Sequence, residues 1–155
     1  MNDKLSELLN KDTNNELLEY IKNALDKSDE SPFWKEKILP FVDAILSVLF
    51  PLKEQNLLFT PEGKIEKVLN QDLFYKWTDL ISLRTLAFTL EISNEKNSLC
   101  RTSYKDVNYS KIDLEKLGKY LSSYKVNLID EDNLDFPVGN YNLHTGMVTI
   151  IKSLF

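Results

Sequence analysis

The sequence predicts an all-α fold, a compact bundle of about six to seven helices with one central hydrophobic helix. Apolar residues recur at helical spacing along most of the chain. Only four glycines and five prolines occur in 155 residues, so few of the residues that favour tight turns are present. Hydrophobic residues make up 43% of the chain and charged residues 28%, as in ordinary globular proteins. A chain of this length is expected to form a single domain, spanning residues 1–155.

The first two helices are predicted from leucine spacing and from a capping box. Leu5, Leu8 and Leu9 fall at the spacing of one face of a short helix. Residues 13–16 then match a capping box, in which the Thr13 hydroxyl accepts a backbone N–H and Glu16 reaches back. The apolar face of the second helix consists of Leu17, Leu18, Ile21, Ala24 and Leu25.

The central helix has the clearest start in the sequence. Ser31 is a favoured N-cap residue, and Pro32 suits the first helical position because its missing N–H is not needed there. The residues from Phe33 to Leu49 are apolar nearly all round the helix, which is typical of a buried one. Pro40 is expected to kink or split this helix, and Pro51 to mark its end.

Two further helices are predicted in the middle of the chain. Thr60 followed by Pro61 repeats the cap-plus-proline signal and predicts a short amphipathic helix through Ile65, Val68 and Leu69. Residues 73–91 indicate a long helix with a break near Asp79.

The remaining chain is predicted to hold two loops and two helices. Residues 94–109 lack helical periodicity and form the first loop, and residues 110–113 resemble a capping signature that begins a helix through Tyr124. Residues 127–140 form an acidic second loop, and residues 143–154 form the last helix.

Composition argues against several functional classes. The net charge of −5 offers no clustered basic surface for nucleic acid and suits binding to basic proteins. One cysteine and one histidine are too few soft ligands for a zinc site, and we expect no cofactor in this chain. The most apolar stretch, residues 38–50, is too short to span a bilayer, which takes about 20 residues. No Gly-rich phosphate loop is present.

Three single residues carry alternative interpretations. Asp43 lies within the apolar helix and is expected to pair with a cation such as Arg84 or to lie on the exposed line of the helix; the alternative is an acid with a raised pKa. His144 opens the last helix and is a capping or packing residue in one interpretation and a general base in the other. Cys100 is a candidate nucleophile because the neighbouring Arg101 could lower the pKa of its thiol, but the sequence identifies no base partner for it, which argues against catalysis.

The two loops supply the candidate partner-binding residues. Tyrosine and arginine are favoured as anchors of protein interfaces, and an acidic run can dock a basic partner. The alternatives are side chains that fold back over the core in the first loop and a solvated segment in the second. The candidates are Arg101, Tyr104, Tyr109, Asp130, Glu131, Asp132 and Asp135.

The segment from Ser31 to Lys37, read Ser-Pro-Phe-Trp-Lys-Glu-Lys, and the apolar run to Leu49 resemble a known family. They are similar to the opening of the all-α domain in coupling ATPases of type IV secretion and conjugation systems. The resemblance implies a domain inserted in a P-loop motor that binds ATP and Mg²⁺ in the intact protein. It also implies a cytoplasmic position at the inner membrane, which is reached through parts outside this chain.

The resemblance further implies a substrate-recognition role without catalysis by this chain. Its partners would be secreted effector proteins, their adaptors or a small regulatory protein, together with other secretion-system subunits; DNA is the other substrate class in conjugation. We expect the chain to be one domain of a larger ATPase, with homo-oligomers formed only by the intact protein. Two alternatives are a free-standing helical effector, immunity or chaperone-like protein, and an enzyme with a site around Asp43 and His144.

Overall fold

A computed structural model describes residues 3–11, 13–90, 109–128, 132 and 136–154. It confirms the all-α class: the described residues form seven α-helices, one short 3₁₀ turn and no sheet. The helices are α1 (Asp3–Leu9), α2 (Asn15–Lys27), α3 (Pro32–Glu54), α4 (Gln71–Trp77), α5 (Leu80–Thr89), α6 (Glu115–Ser123) and α7 (Val138–Ser153), with the 3₁₀ turn at Tyr109–Lys111. Within the described part of the chain, no helix is both long and apolar enough to cross a membrane.

Helix α3 forms the centre of the bundle, as predicted. It packs against α2, α6 and α7, and its buried residues occupy several sides of the helix. Pro40 does not split it, and the prediction that Pro51 ends it is wrong, because the helix continues to Glu54. Leu52, beyond Pro51, is fully buried. Burial of such a side chain contributes about 1.5–3 kcal/mol, which helps to offset the hydrogen bond that a proline removes.

The start of α2 differs from the predicted capping box. Asn14 takes the N-cap position, and its side chain forms no capping hydrogen bond. Its amide instead lies 3.4 Å from the Asp43 carboxylate of α3, while the Glu16 carboxylate lies 3.7 Å from Lys11 Nζ. The capping prediction is therefore wrong: the polar side chains at this end of α2 have partners elsewhere.

The predicted helix after Thr60 is also wrong, because these residues form a tight turn. The Thr60 N–H donates to the Lys64 carbonyl at 2.8 Å, and the Lys64 N–H donates to the Thr60 hydroxyl at 3.1 Å. Gly63 has a φ of 92°, a conformation that glycine adopts without steric cost. Phe59 and Ile65, on either side of the turn, form an isolated antiparallel bridge. The Thr60 hydroxyl therefore stabilises a turn and does not cap a helix.

The break predicted near Asp79 is confirmed between α4 and α5. Asp79 is the N-cap of α5, and its carboxylate accepts the N–H groups of Ile81 and Ser82 at 3.1 and 3.2 Å. A new cap inside an apolar run lets the chain change direction without leaving donors unsatisfied. The helix before it is independently capped by Asn70, whose side chain accepts the Leu73 N–H at 2.9 Å.

Helix α6 begins just after the predicted capping residues 110–113, whereas α7 begins earlier than predicted. Helix α6 begins at Glu115, whose N–H donates to Asp113 Oδ1 at 3.1 Å. Helix α7 begins at Val138, with Pro137 as its N-cap, so the predicted loop of residues 127–140 is too long at its end. His144 therefore lies inside α7 and does not open it. The predicted loop of residues 94–109 lies almost wholly outside the described residues.

Candidate functional site

Most of the predicted partner-binding residues lie outside the described part of the chain. Tyr109 begins the 3₁₀ turn, and Asp132 is exposed. The residues outside the description are Cys100, Arg101, Tyr104, Asp130, Glu131 and Asp135. The described residues therefore do not bring this predicted set together, and its partner-binding role stays a prediction.

The first turn of α3 carries an exposed aromatic group instead. Phe33 has 49% of its surface exposed and meets Trp34 edge to face, with ring centroids 5.2 Å apart. Lys37 Nζ lies 5.0 Å from the centroid of the Phe33 ring. We call Phe33, Trp34 and Lys37 the Phe33 surface. It joins an apolar ring, an indole and a cation, residue types that anchor protein interfaces or pair with aromatic groups.

The Phe33 surface is braced against α7 through Gly146. A Cβ atom at Gly146 would lie 3.3 Å from Trp34 Cη2, so the missing side chain allows the indole to approach α7 closely. Trp34 is half-buried by this packing, whereas its neighbour Phe33 extends further into solvent. The exposed ring thus stands on a rigid base formed by two helices, which lowers the entropy lost when a partner binds.

Asp43 pairs with a cation, but the partner is Lys116 of α6. The Lys116 ammonium lies 2.8 Å from Asp43 Oδ2, and hydrogen bonding to that carboxylate raises the pKa of Lys116. The pairing suggested with Arg84 is wrong: the Arg84 Nε–H donates to the Asn127 carbonyl at 3.0 Å, and its guanidinium lies 4.7 Å from the Phe88 ring centroid. Asp43 thereby links α3 to α6, and through Asn14 to α2.

His144 is a buried hydrogen-bonded residue that ties three parts of the bundle together. Its Nε2 lies 2.6 Å from the Thr78 carbonyl, which can only accept, so Nε2 carries the proton. Its Nδ1 lies 2.6 Å from the Tyr120 hydroxyl of α6 and accepts from it. Burial raises the pKa of Tyr120, which keeps the phenol protonated as the donor. The Phe41 ring of α3 packs edge to face on the imidazole, with centroids 5.1 Å apart.

The hydrogen bonds of His144 and Asp43 argue against the alternative in which these two residues form an enzyme site. Only 1% of the His144 surface is exposed, and both of its ring nitrogens already have partners. A general base needs a free nitrogen within reach of the substrate proton. The Asp43 carboxylate likewise uses one oxygen for Lys116 and the other for Asn14. In this arrangement both groups stabilise the packing of helices.

The His144 network predicts a pH dependence of stability. Burial lowers the pKa of His144 below its unfolded value of 6.5. The unfolded chain therefore binds a proton at a higher pH than the folded chain does, so the free energy of unfolding falls as pH decreases through about 6.5. We expect a loss of up to about 1.4 kcal/mol per pH unit below that value, measured by urea unfolding between about pH 5.5 and 7.5.

Few other groups of this chain titrate between about pH 5.5 and 7.5. His144 is the only histidine, and unperturbed carboxylates titrate near pH 4. A free energy of unfolding that stays constant over the window would contradict the assignment of a buried neutral imidazole.

Sequence reasoning missed the Phe33 surface and the partners of Asp43 and His144. The sequence placed Phe33 in the apolar face of α3, yet it precedes Ile38, the first fully buried residue of that helix, by more than one turn. This distance from the buried part of the helix was the sequence signal that could have predicted the exposure of Phe33. No sequence signal identified Lys116 or Tyr120, because each partner lies on a different helix and is brought close only by packing.

Comparison of the chain with protein-family models, curated proteins and solved structures finds no match.

Proposed function

We propose that this chain is the substrate- or adaptor-recognition domain of a type IV secretion coupling ATPase. It binds secreted effector proteins, their adaptors or a small regulatory protein, and DNA is the less favoured substrate because the net charge is −5. In this proposal, ATP and Mg²⁺ bind only to the motor of the intact protein. The chain itself performs no catalysis and works at the cytoplasmic face of the bacterial inner membrane.

The Phe33 surface is the observation that carries the proposal. The segment that resembles the coupling ATPases begins with the Pro-Phe-Trp sequence, and this is the segment in which an aromatic ring remains half exposed. Among the five exposed large hydrophobic residues of the described chain, Phe33 is the only aromatic one, and Trp34 and Lys37 lie beside it. Burying the ring against a partner removes apolar area from water, which is the main favourable term in association.

Charge has a secondary role in the proposed binding of a partner. The excess of acidic residues favours a basic partner and raises the rate of encounter with it. Asp132 is exposed, and a contact of this acidic loop with a basic partner is part of the proposal. Rim charges change the association rate more than the final affinity, so the Phe33 surface supplies most of the binding energy in this proposal.

Replacing Phe33 with alanine tests the recognition role. We expect the variant to bind the protein substrate of its own secretion system about 30-fold more weakly, since an interface anchor contributes about 2 kcal/mol or more. Calorimetry with the purified domain and substrate measures the change. The domain should unfold at an unchanged temperature, because Phe33 contributes little to the core.

Ile65→Ala provides a matched control, because Ile65 is 55% exposed and lies outside the Phe33 surface. Equal affinities of the two variants would remove the Phe33 surface from the proposal. The family assignment has a separate test in the genomic reading frame. A Walker motif upstream and an acidic Mg²⁺-binding strand downstream would support it, whereas a frame that closes at Phe155 would sink it.

A further inference from the structure

A second surface feature, separate from the Phe33 surface, lies between the α4–α5 junction and one face of α7. It is a cleft of about 180 Å³ whose walls include Tyr75, Asp79, Tyr141, Val148, Thr149 and Lys152. The α7 residues of the cleft recur every three or four positions and so share one face of that helix. A water molecule occupies roughly 30 Å³, so the cleft can hold a small organic molecule. We call it the α7 cleft.

One end of the α7 cleft is acidic. Asp79 uses a single carboxylate oxygen, Oδ2, to accept the two N–H groups at the start of α5. Its other oxygen has no hydrogen-bond partner among the described residues and can accept from a ligand. Asp79 directly follows Thr78, whose carbonyl accepts from His144 Nε2 at 2.6 Å, so this end of the cleft lies at the level of His144 along α7.

The other end of the α7 cleft is basic. Lys152 Nζ lies 5.3 Å from the centroid of the Tyr75 ring, and within the described chain it forms no ion pair. Lys152 lies eight residues beyond His144 in α7, which corresponds to about 12 Å of helix rise. The two ends of the cleft are therefore about two helical turns apart along α7, with Val148 between them as an apolar wall.

The Tyr75 hydroxyl supplies an independent sign of a missing partner. It is enclosed away from solvent and has no hydrogen-bond partner among the described residues. Burial raises the pKa of Tyr75, so the group is a neutral hydroxyl with a proton to donate. A buried hydroxyl without a partner costs about 1–3 kcal/mol, so a shift of the Tyr75 side chain that lets its hydroxyl reach an acceptor on a bound ligand would recover that cost.

We propose that the α7 cleft binds a small zwitterion of dipeptide size. The ligand ammonium faces the free oxygen of Asp79, and the ligand carboxylate pairs with Lys152 Nζ and accepts from the Tyr75 hydroxyl once that side chain shifts toward it. The backbone between them lies along Val148. The Thr149 hydroxyl donates to the Thr145 carbonyl at 3.0 Å and so remains free to accept a ligand N–H. This site is independent of the proposed recognition role.

Titration with glycylglycine, followed by NMR chemical shifts of the backbone amides, tests the proposal. We expect saturable binding with one ligand per chain and shifts centred on residues of α4, α5 and α7 that border the cleft. Asp79→Asn and Lys152→Met should each weaken binding at least tenfold. Asparagine caps helices as well as aspartate does, so the first variant keeps α5 intact.

Matched controls and modified ligands separate this site from general charge effects. Asp113→Asn alters another helix-capping carboxylate, and Lys27→Met alters another lysine in the last turn of a helix; both should bind glycylglycine like the parent protein. N-acetyl-glycylglycine and glycylglycine amide, which each lack one charge, should bind at least tenfold more weakly. Absence of saturable binding, shifts centred elsewhere, or equal losses in the control variants would each overturn the proposal. Phe33→Ala should leave dipeptide binding unchanged.

Discussion

Replacing His144 with leucine is expected to lower the free energy of unfolding by about 2–5 kcal/mol. Leucine matches the apolar surroundings of the imidazole but can neither donate to the Thr78 carbonyl nor accept from the Tyr120 hydroxyl. Both bonds are 2.6 Å long, and the imidazole is fully enclosed. Each polar group left in the interior without its partner costs about 1–3 kcal/mol, so two such groups cost about 2–6 kcal/mol, and the apolar contacts of leucine offset part of the larger figure. Urea unfolding at pH 7.5 measures the loss.

Two further measurements distinguish this hydrogen-bond network from simple packing. His144→Leu should also abolish the fall in stability below about pH 6.5, because the titrating group is gone. Asn142→Leu makes a similar change on the exposed side of the same helix and should shift stability by no more than about 0.5 kcal/mol. A His144→Leu variant that is as stable as the parent protein would mean that the network contributes nothing to the fold.

The helices could be predicted where the sequence contains the whole local signal. Helix α3 starts at Pro32 as predicted, since proline at the first helical position needs no N–H partner; Ser31 takes the N-cap position, but its side chain forms no capping hydrogen bond. Asp79 likewise ends one helix and caps the next through hydrogen bonds to its own neighbours. Signals of this kind act over one helical turn, and they do not depend on how the other helices pack.

The predictions failed where a local signal competes with another bond. Thr60 and Pro61 resemble a helix start as closely as Ser31 and Pro32 do, yet the Thr60 hydroxyl accepts the Lys64 N–H and Gly63 closes a turn. The difference lies in the apolar residues that follow. Those after Ser31 are buried in the core, whereas Ile65 and Val68 are more than half exposed and gain too little from a helix.

The partners of Asp43 and His144 were beyond prediction for a different reason. Asp43 and Lys116 are separated by 73 positions, and the sequence contains 19 lysines and arginines as alternatives. Lys116 pairs with Asp43 because α6 packs directly on α3, whereas Arg84 of α5 donates to the backbone at Asn127. The same holds for His144, whose interpretation depends on Tyr120 and Thr78. Packing of helices decides which of the chemically allowed pairs form.

Replacing Trp77 with alanine should produce the largest loss of stability among the variants considered, about 3–5 kcal/mol. Trp77 is fully buried at the end of α4, and its ring meets Phe59 edge to face with centroids 5.5 Å apart. Its indole N–H donates to the Phe59 carbonyl at 3.0 Å. Alanine leaves a cavity at this position and releases the residues before the Thr60 turn from α4. Urea unfolding measures the global loss, and hydrogen exchange should show reduced protection at the Thr60 and Glu66 amides.

Two variants separate the parts of this effect. Trp77→Phe retains most of the apolar contact but removes the donor, so it should cost less, about 1–3 kcal/mol. Trp34→Ala removes the other tryptophan, which is only half-buried against Gly146, and its cost should be clearly smaller than that of Trp77→Ala. If the Trp34 and Trp77 variants lost equal stability, the burial of Trp77 would not be what holds the segment from Phe59 to Ile65 against α4. A Trp77→Ala protein with parental protection at Thr60 would point to the same conclusion, because the turn would then be stable without its contact to the indole.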